Sequence, residues 1–374
     1  MGLLLRVRRA RLAGLVIRRL RRAGVSDARY DARGFRVRFT ADGDETPTIL
    51  ELAPLLAARG GRRRQRVDRF VAGLMSTPGL PQAWADARPL LRPVLRGGTP
   101  GASLRRPVLP FLFEFVVVDQ PDTMTYVGGE QLAGWEVSAE EVFAAAQANL
   151  SGAVLHGVAE EPVVVRFVDD GDAYWTSHLL LPNWLERLAA QVGGAPVAFA
   201  PERGTLLVTA DHSEHLAGLF AQAEEIYAKS SRPITPMAYA SDDRGCTVPY
   251  EAPPGHPLHR AVERAERLLA VHEYARQALH RAEDPAAADP AGAAKVAMAE
   301  LDLVGSEEQG WRTRAIWERD EPVLLPAADE VQFGAEVRPW AELSPRLTEV
   351  PGLSPTRWAA ACWPPLQPGD DTQH

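Results

Sequence analysis

The chain has 374 residues, of which 46% are hydrophobic, and a formal net charge of −8. This length is enough for two or three domains that each bury a core. No stretch approaches the roughly 18 to 20 apolar residues of a membrane span, and the two cysteines, Cys246 and Cys362, lack the spacing of a zinc or redox motif. We therefore expect a cytoplasmic protein without a transmembrane segment.

Charge is distributed unevenly along the chain. The first 106 residues contain 23 arginines and 8 acidic residues, a balance of +15, whereas the remaining 268 contain 18 basic and 41 acidic residues, a balance of −23. Segments of opposite charge attract each other or partners of opposite sign. The asymmetry predicts an unknown protein partner or intramolecular docking of the basic and acidic halves. Nucleic acid or a membrane surface is a less favoured partner, because nearly every basic residue of the chain is arginine, which weakens arginine as a signal.

The N-terminal segment is predicted to contain a helix, a hairpin and a second helix. Residues 1–23 predict the first helix, because Leu12, Val16 and Leu20 recur at helical spacing. Its arginines form a candidate basic patch, which consists of Arg6, Arg8, Arg9, Arg18, Arg19, Arg21 and Arg22. Apolar residues alternate on both sides of Gly34 and predict a β-hairpin, and residues 62–66 begin the second helix. Residues 76–110 are rich in proline and glycine and predict an irregular connection or extended arm.

Residues 111–250 predict a regular body of hairpins and helices. The predicted hairpins join residues 113–119 to 124–127, residues 163–168 to 173–180, and residues 197–199 to 206–209. A capping box between Ser138 and Glu141 opens a helix that runs through Asn149. Hairpins pair antiparallel strands, and no glycine-rich phosphate loop is present. The predicted fold class is therefore α+β, with an antiparallel sheet built of hairpins, intervening helices, and a small β-rich C-terminal module.

Four short motifs occur in this body in the same order as in a known family. They are Thr125-Tyr126-Val127 followed by Trp135-Glu136-Val137-Ser138, the Asp-Gly-Asp hairpin with Tyr174 and Ser177, the Leu-Pro-Asn-Trp-Leu helix start at 181–185, and Arg232-Pro233-Ile234-Thr235. In these motifs the chain resembles the YtpQ-like family of bacterial proteins of unknown function, most strongly over residues 111–250 and more weakly back to about residue 11. The family has no established catalytic residue, so the resemblance implies a fold unit and no activity.

The C-terminal third completes the predicted domain organisation. Apolar residues at helical spacing predict a long helix over residues 256–283, a linker rich in alanine, proline and aspartate follows at 284–294, and residues 295–366 form the β-rich module. The strands of this module are predicted at 296–304, 311–318 and 323–333, and residues 367–374 form a disordered tail. The parts before the long helix are a basic N-terminal α/β segment, 1–106, and the YtpQ-like body, 107–255.

Two groups of residues are candidates for chemistry. Oxygen ligands from Asp169, Asp170 and Asp172 can hold a divalent cation, and His178 can complete a hydrolytic metal site. The competing interpretation is the tip of a hairpin, since Asp-Gly pairs favour such turns.

The second group combines carboxylates with a tyrosine. Glu114, Asp119 and Asp122 beside Tyr126 can supply paired carboxylates for acid and base catalysis, although turn and surface roles explain the same residues. The sequence has no nucleophile elbow and no cysteine beside a histidine, and it predicts no cofactor.

The function expected from these patterns is a non-enzymatic protein-interaction or scaffold role. It depends on the charge asymmetry and on the absence of a recognisable catalytic set. One alternative is a metal-dependent hydrolase that uses the Asp-rich hairpin. Another is binding of the arginines between Arg6 and Arg22 to nucleic acid or to an anionic membrane, which would weaken steeply with salt.

Overall fold

The computed structural model describes residues 3–25, 27–39, 48–57, 63–76, 80–98, 104–120, 123–154, 157–168, 173–283 and 296–365. Within these ranges, helices alternate with short strands that form several mostly antiparallel sheets, so the α+β class is confirmed. No helix in the described ranges combines the length and the apolar character needed to cross a bilayer. The predicted linker at 284–294 and the predicted disordered tail at 367–374 lie outside the described residues.

The N-terminal unit packs two long helices against a three-stranded sheet. Its elements are α1 (Leu3–Arg22), β1 (Arg29–Asp31), β2 (Arg36–Phe39), β3 (Thr48–Glu51), α2 (Ala53–Ala57) and α3 (Arg63–Ser76). The sheet order is β1-β2-β3, and all pairs are antiparallel. Leu12, Val16 and Leu20 of α1 are at most 1% exposed and share one core with Val37 and Val67. The predicted helix, the hairpin around Gly34 and the second helix are thus confirmed.

The segment that follows forms strands, and the prediction of an irregular arm over residues 76–110 is wrong. Its elements are α4 (Trp84–Ala87) with a 3₁₀ turn (Arg88–Leu90), β4 (Leu91–Arg96), β5 (Arg105–Leu109), β6 (Leu112–Gln120) and β7 (Thr123–Tyr126). The nine-residue β6 pairs with β4, β5 and β7, so β4 is an edge strand. An edge strand tolerates proline, which is why Pro93 lies inside β4. The predicted domain boundary at residue 106 falls inside β5, whose sheet takes strands from both sides of it.

Four α-helices and a five-stranded sheet continue the body. The elements are α5 (Gly129–Trp135), α6 (Ala139–Ala148), β8 (Val165–Val168), α7 (Ala189–Val192), β9 (Pro196–Glu202), β10 (Thr205–Ala210), α8 (Leu216–Lys229), β11 (Ala238–Ser241) and β12 (Thr247–Pro249). The sheet order is β12-β11-β9-β10-β8. The capping box that opens α6 is confirmed, since Ser138 Oγ accepts from the backbone N–H of Glu141 and the Glu141 carboxylate accepts from the backbone N–H of Ser138.

One of the three predicted hairpins of the body is wrong. The β6–β7 and β9–β10 hairpins are confirmed, but β8 pairs with β10, and residues Trp175–Leu180 form a 3₁₀ helix instead of a strand. The backbone of Tyr174 adopts the left-handed conformation, with φ 51° and ψ 38°, and turns the chain into this helix. A strand places alternate side chains on opposite faces, whereas four consecutive residues from Thr176 to Leu179 are all buried.

The long helix α9 (His259–Glu283) joins the body to the C-terminal module and confirms the predicted helix. Arg264 of α9 donates two hydrogen bonds, of 2.7 and 2.6 Å, to the Glu224 carboxylate on α8. Arg267 donates to Asp329 of the module at 3.1 Å. Tyr274 lies in the core of the module, where it is 3% exposed.

The C-terminal module consists of two four-stranded sheets. Its elements are β13 (Ala297–Met298), β14 (Glu300–Ser306), β15 (Gly310–Trp317), β16 (Val323–Pro326), β17 (Glu330–Phe333), β18 (Glu336–Pro339), α10 (Trp340–Leu343), a 3₁₀ turn (Ser344–Arg346), β19 (Thr348–Val350) and β20 (Arg357–Ala360). The sheet orders are β13-β16-β20-β19 and β14-β15-β17-β18. The single strands predicted at 296–304 and 323–333 are therefore wrong, because β13 and β14 belong to different sheets, as do β16 and β17. The strand predicted at 311–318 is confirmed by β15.

Candidate functional site

A cavity of about 180 Å³ lies where the N-terminal unit meets both sheets of the body. It is lined by Ile49, Arg96, Met124, Tyr126, Tyr174, Thr176, Ser177, Arg203, Gly204 and Arg232. These residues come from β3, β4, β7, the 3₁₀ helix Trp175–Leu180 and the residue before it, the β9–β10 hairpin turn and the chain before β11. The cavity thus brings together segments that are distant in sequence.

Arg96 is the most deeply buried charge of the cavity. It is the last residue of β4 and pairs with Phe113 of β6, which places its side chain inside the body. The residue is 6% exposed. One terminal nitrogen, Nη1, donates to the carbonyl of Leu95 at 2.8 Å, but the buried Nε has no hydrogen-bond partner. A buried polar group without a partner is destabilising, so a hydrogen-bond acceptor at this Nε would stabilise the protein.

Two further arginines raise the positive potential around Arg96. Arg203 lies in the β9–β10 turn, and its backbone N–H donates to the carbonyl of Arg232 at 3.2 Å, which ties the two segments together. Burial, followed by the charges of Arg203 and Arg232, lowers the pKa of Arg96 to about 9. The guanidinium remains protonated at neutral pH, and its nearest charged neighbours include cations of the same sign.

Hydroxyl groups form another part of the wall. Tyr126, Tyr174, Thr176 and Ser177 are all at most 5% exposed. The carboxylate of Asp119 is a charged neighbour of the Tyr174 hydroxyl. Burial and then the Asp119 charge raise the pKa of Tyr174 well above its ordinary value, so this residue stays protonated as a hydrogen-bond donor. Its left-handed backbone is uncommon for a bulky residue, and such strain clusters at functional sites.

The lining chemistry suits an anion. Three guanidinium groups and four hydroxyl groups converge, and no described residue that lines the cavity is a carboxylate. Guanidinium groups form short charge-assisted hydrogen bonds with phosphate and carboxylate. A volume of 180 Å³ equals the liquid volume of about six water molecules, which is room for one small oxyanion. Ile49 and Met124 make the remaining wall apolar.

The predicted metal site is only partly within the described chain. Asp169, Asp170 and Asp172 lie outside the described residues, and His178 lies in the aromatic core of the body. Its ring is 5.1 Å from that of Trp175 and 4.9 Å from that of Trp184. The ring nitrogens of His178 face the carbonyl of Tyr174 at 3.2 Å and the hydroxyl of Ser151 at 3.5 Å. The metal site stays a prediction.

The described part of the chain offers no alternative metal centre. No three His, Cys, Asp or Glu side chains of these residues lie close enough together to share an ion. The predicted basic patch is on α1, where Arg9 and Arg19 are half-buried and the others, Arg6, Arg8, Arg18, Arg21 and Arg22, are exposed. Of this patch, Arg18 lines a surface groove, and none of its arginines lines the cavity.

The structure separates the predicted group of carboxylates and a tyrosine. Tyr126 lines the cavity. Asp119 does not line it but is a charged neighbour of Tyr174, which does. Glu114 is fully buried elsewhere in the sheet, where Arg106 donates to it at 2.6 Å and Gln147 at 3.0 Å. Asp122 lies outside the described residues. These carboxylates are therefore not paired in one site in the described structure.

Sequence reasoning missed all three arginines of the cavity. Arg96 lies in the segment that was predicted to be irregular, and Arg203 lies in a hairpin turn, where an arginine is ordinarily solvated. Arg232 is part of the Arg-Pro-Ile-Thr motif, but the motif by itself indicates no ligand. A usable signal was the position of Arg96 at the end of an apolar run that contains Leu91, Val94 and Leu95.

No protein-family model, no curated protein and no solved structure matches this chain. The residues of the site are therefore what indicates its chemistry. The resemblance to the YtpQ-like family stays a prediction.

Proposed function

We propose that this protein binds a small oxyanion, either inorganic phosphate or the phosphate or carboxylate group of a small molecule, in the cavity around Arg96. The observation that supports the proposal is the unpartnered Nε of a buried guanidinium that has Arg203 and Arg232 as its charged neighbours. An anion supplies the missing hydrogen-bond acceptor and the missing negative charge at once.

Electrostatics favours this occupant over a neutral one. Two opposite unit charges 4 Å apart attract by about 4 kcal/mol at an effective dielectric constant of 20. Arg96 is buried beside like charges, so its positive charge is destabilising in the empty cavity. A bound anion removes this penalty, and protonated tyrosine hydroxyls add donors. The affinity therefore comes from charges that the fold has already positioned.

The lining favours binding over turnover. Among the described lining residues, Thr176 and Ser177 are the hydroxyl groups that could act as nucleophiles, and none of the lining side chains is a histidine, a cysteine or a carboxylate that could activate them. The ring of His178 is directed toward the Tyr174 carbonyl and the Ser151 hydroxyl. We therefore assign the cavity a ligand-binding role without catalysis.

Thermal unfolding and calorimetry test the proposal. Sodium phosphate, sulfate, acetate and chloride are compared at constant ionic strength on the wild type, on Arg96→Met and on Arg319→Met. The control residue Arg319 is exposed and lies in the C-terminal module. We expect phosphate to raise the Tm of the wild type and of the control but not that of Arg96→Met. If no oxyanion binds the wild type by calorimetry, the proposal is wrong.

Two predicted functions remain proposals beside this one. The interaction or scaffold role is supported by the charge asymmetry, and the hydrolase role requires the aspartates at 169, 170 and 172. A cytoplasmic location also remains a proposal; both cysteines are free thiols, which fits a reducing compartment. Membership of the YtpQ-like family is supported by motifs of which one contributes Arg232 to the cavity.

A further inference from the structure

A second basic surface lies on the outer side of the N-terminal unit. A groove on this side is lined by residues of α1 that include Val7, Arg11, Gly14 and Arg18, and by Arg64 of α3. On a helix, positions 7, 11, 14 and 18 lie on one face, and position 22 continues it. We call Arg11, Arg18 and Arg22 the outer arginine row.

The opposite side of α1 is already occupied. Leu12, Val16 and Leu20 are at most 1% exposed in the core of the N-terminal unit. The helix is therefore anchored by its apolar side and presents its arginines to solvent. The sequence of α1 contains no acidic residue, so the helix cannot neutralise the row from within.

The described partners of these arginines are few. Among the described residues, α1 forms a single ion pair with an acidic side chain, between Arg19 and Asp68. The guanidinium of Arg9 lies 4.8 Å from the centre of the Phe35 ring. Neither residue belongs to the outer arginine row, and no described carboxylate forms an ion pair with the row. As far as the described residues extend, the row is therefore available to an external anion.

We infer that the outer arginine row binds the phosphate backbone of a nucleic acid without reading its base sequence. The row extends over eleven residues, which is about 16 Å along a helix axis. A nucleic acid is a linear polyanion whose phosphates match such a row, and the guanidinium fork binds phosphate oxygens in pairs.

The floor of the groove allows close approach of a strand. A β-carbon added at Gly14 would meet no atom closer than a terminal nitrogen of Arg18 at 3.9 Å. Val7 and Gly14 carry no group that hydrogen-bonds to a base edge, and no described carboxylate holds a guanidinium of the row in one fixed orientation for a paired contact to guanine. The chemistry of the face therefore favours contact with the phosphate backbone.

A membrane surface fits this face less well. Helices that bind a lipid surface insert large apolar side chains between the headgroups. The apolar stripe of α1 is buried in the core, and Val7, at 40% exposed, is the large apolar side chain of α1 that the described structure exposes to solvent. An insertion of α1 would require the N-terminal unit to unfold.

Fluorescence anisotropy with a labelled 20-base-pair DNA duplex tests the inference across a series of salt concentrations. The test variant is Arg11→Gln/Arg18→Gln/Arg22→Gln. The control variant Arg166→Gln/Arg244→Gln/Arg319→Gln removes three exposed arginines elsewhere and changes the net charge equally. Each lost phosphate contact reduces the salt slope by about 0.9, so the test variant should lose about 2.7 from its slope and bind on the order of a hundredfold more weakly at 0.1 M salt.

The controls make the outcome decisive. Circular dichroism and the Tm establish that both variants fold, and Arg96→Met should bind the duplex as the wild type does. Equal weakening in the test and control variants would overturn the inference, because net charge alone would then explain the binding. Phosphatidylserine vesicles and poly-glutamate are tested beside the DNA duplex. The inference would also fail if the wild type bound only the vesicles, only poly-glutamate, or none of the three probes.

Discussion

Replacement of Arg96 by methionine should stabilise the empty protein and abolish anion binding. Methionine keeps an unbranched chain of similar length in the cavity wall but removes the buried charge. Burial and the neighbouring arginines lower the pKa of Arg96 to about 9, which corresponds to a destabilisation by the charged form on the order of 5 kcal/mol, at about 1.36 kcal/mol for each pH unit. The hydrogen bond to the Leu95 carbonyl, worth about 1 kcal/mol, is lost in the variant. We expect a net gain of about 2 to 4 kcal/mol.

The sign of the pH dependence follows from the same values. The unfolded chain holds the Arg96 proton more tightly than the folded protein, so the penalty is fully present below pH 9 and fades as the pH rises above 9. At neutral pH the whole difference between wild type and variant should be visible. It should not change between pH 6 and pH 8.

Urea unfolding with and without phosphate measures both effects. At one hundred times the dissociation constant, phosphate should stabilise the wild type by about 2.7 kcal/mol and the variant not at all. The two proteins should therefore differ most in phosphate-free buffer. If Arg96→Met is less stable than the wild type by 1 kcal/mol or more, or if phosphate stabilises both equally, Arg96 has a structural partner and the reasoning about the cavity is wrong.

Four further substitutions test other polar and charged groups of the molecule. Tyr174→Phe removes a buried hydroxyl of the cavity wall and should weaken phosphate binding about threefold to tenfold in calorimetry. Asp119→Asn removes a negative charge beside Tyr174 and should strengthen phosphate binding. Unlike Arg96→Met, Arg357→Met should destabilise the protein by about 3 kcal/mol or more in urea unfolding. The buried guanidinium of Arg357 donates to three backbone carbonyls, which would lose their donor. An unchanged unfolding midpoint would contradict this prediction. Burial raises the pKa of Glu273 despite its partner Arg276. The carboxylate is more fully charged at pH 8 than at pH 5, so Arg276→Gln should lower the Tm more at pH 8. An equal loss of Tm at both pH values would show that the stabilisation by this pair is not electrostatic.

Local sequence patterns predicted the elements that depend on neighbouring residues. The apolar spacing of Leu12, Val16 and Leu20 predicted α1 and its buried side, because a helix repeats every 3.6 residues whatever it packs against. The capping box at Ser138 and the β9–β10 hairpin were predicted for the same reason. The basic character of the outer face of α1 follows directly from these patterns.

The elements that were predicted wrongly depend on distant partners. Pro93 and the glycines near it suggested an irregular arm, but β4 is stabilised as an edge strand by its pairing with β6, about twenty residues further along the chain. The run from Trp175 to Leu180 has strand-like composition but forms a 3₁₀ helix, since its consecutive side chains are buried by surrounding elements.

The sequence alone determined the charge asymmetry, the α+β class and the two faces of α1, because each follows from composition or from a short repeat. Only the tertiary structure decided that Arg96, Arg203 and Arg232 share a cavity. No periodicity relates these three positions, which lie on separate strands and turns. Their convergence is set by the packing of two sheets, and the burial that leaves the Nε of Arg96 without a partner exists only once those sheets have packed.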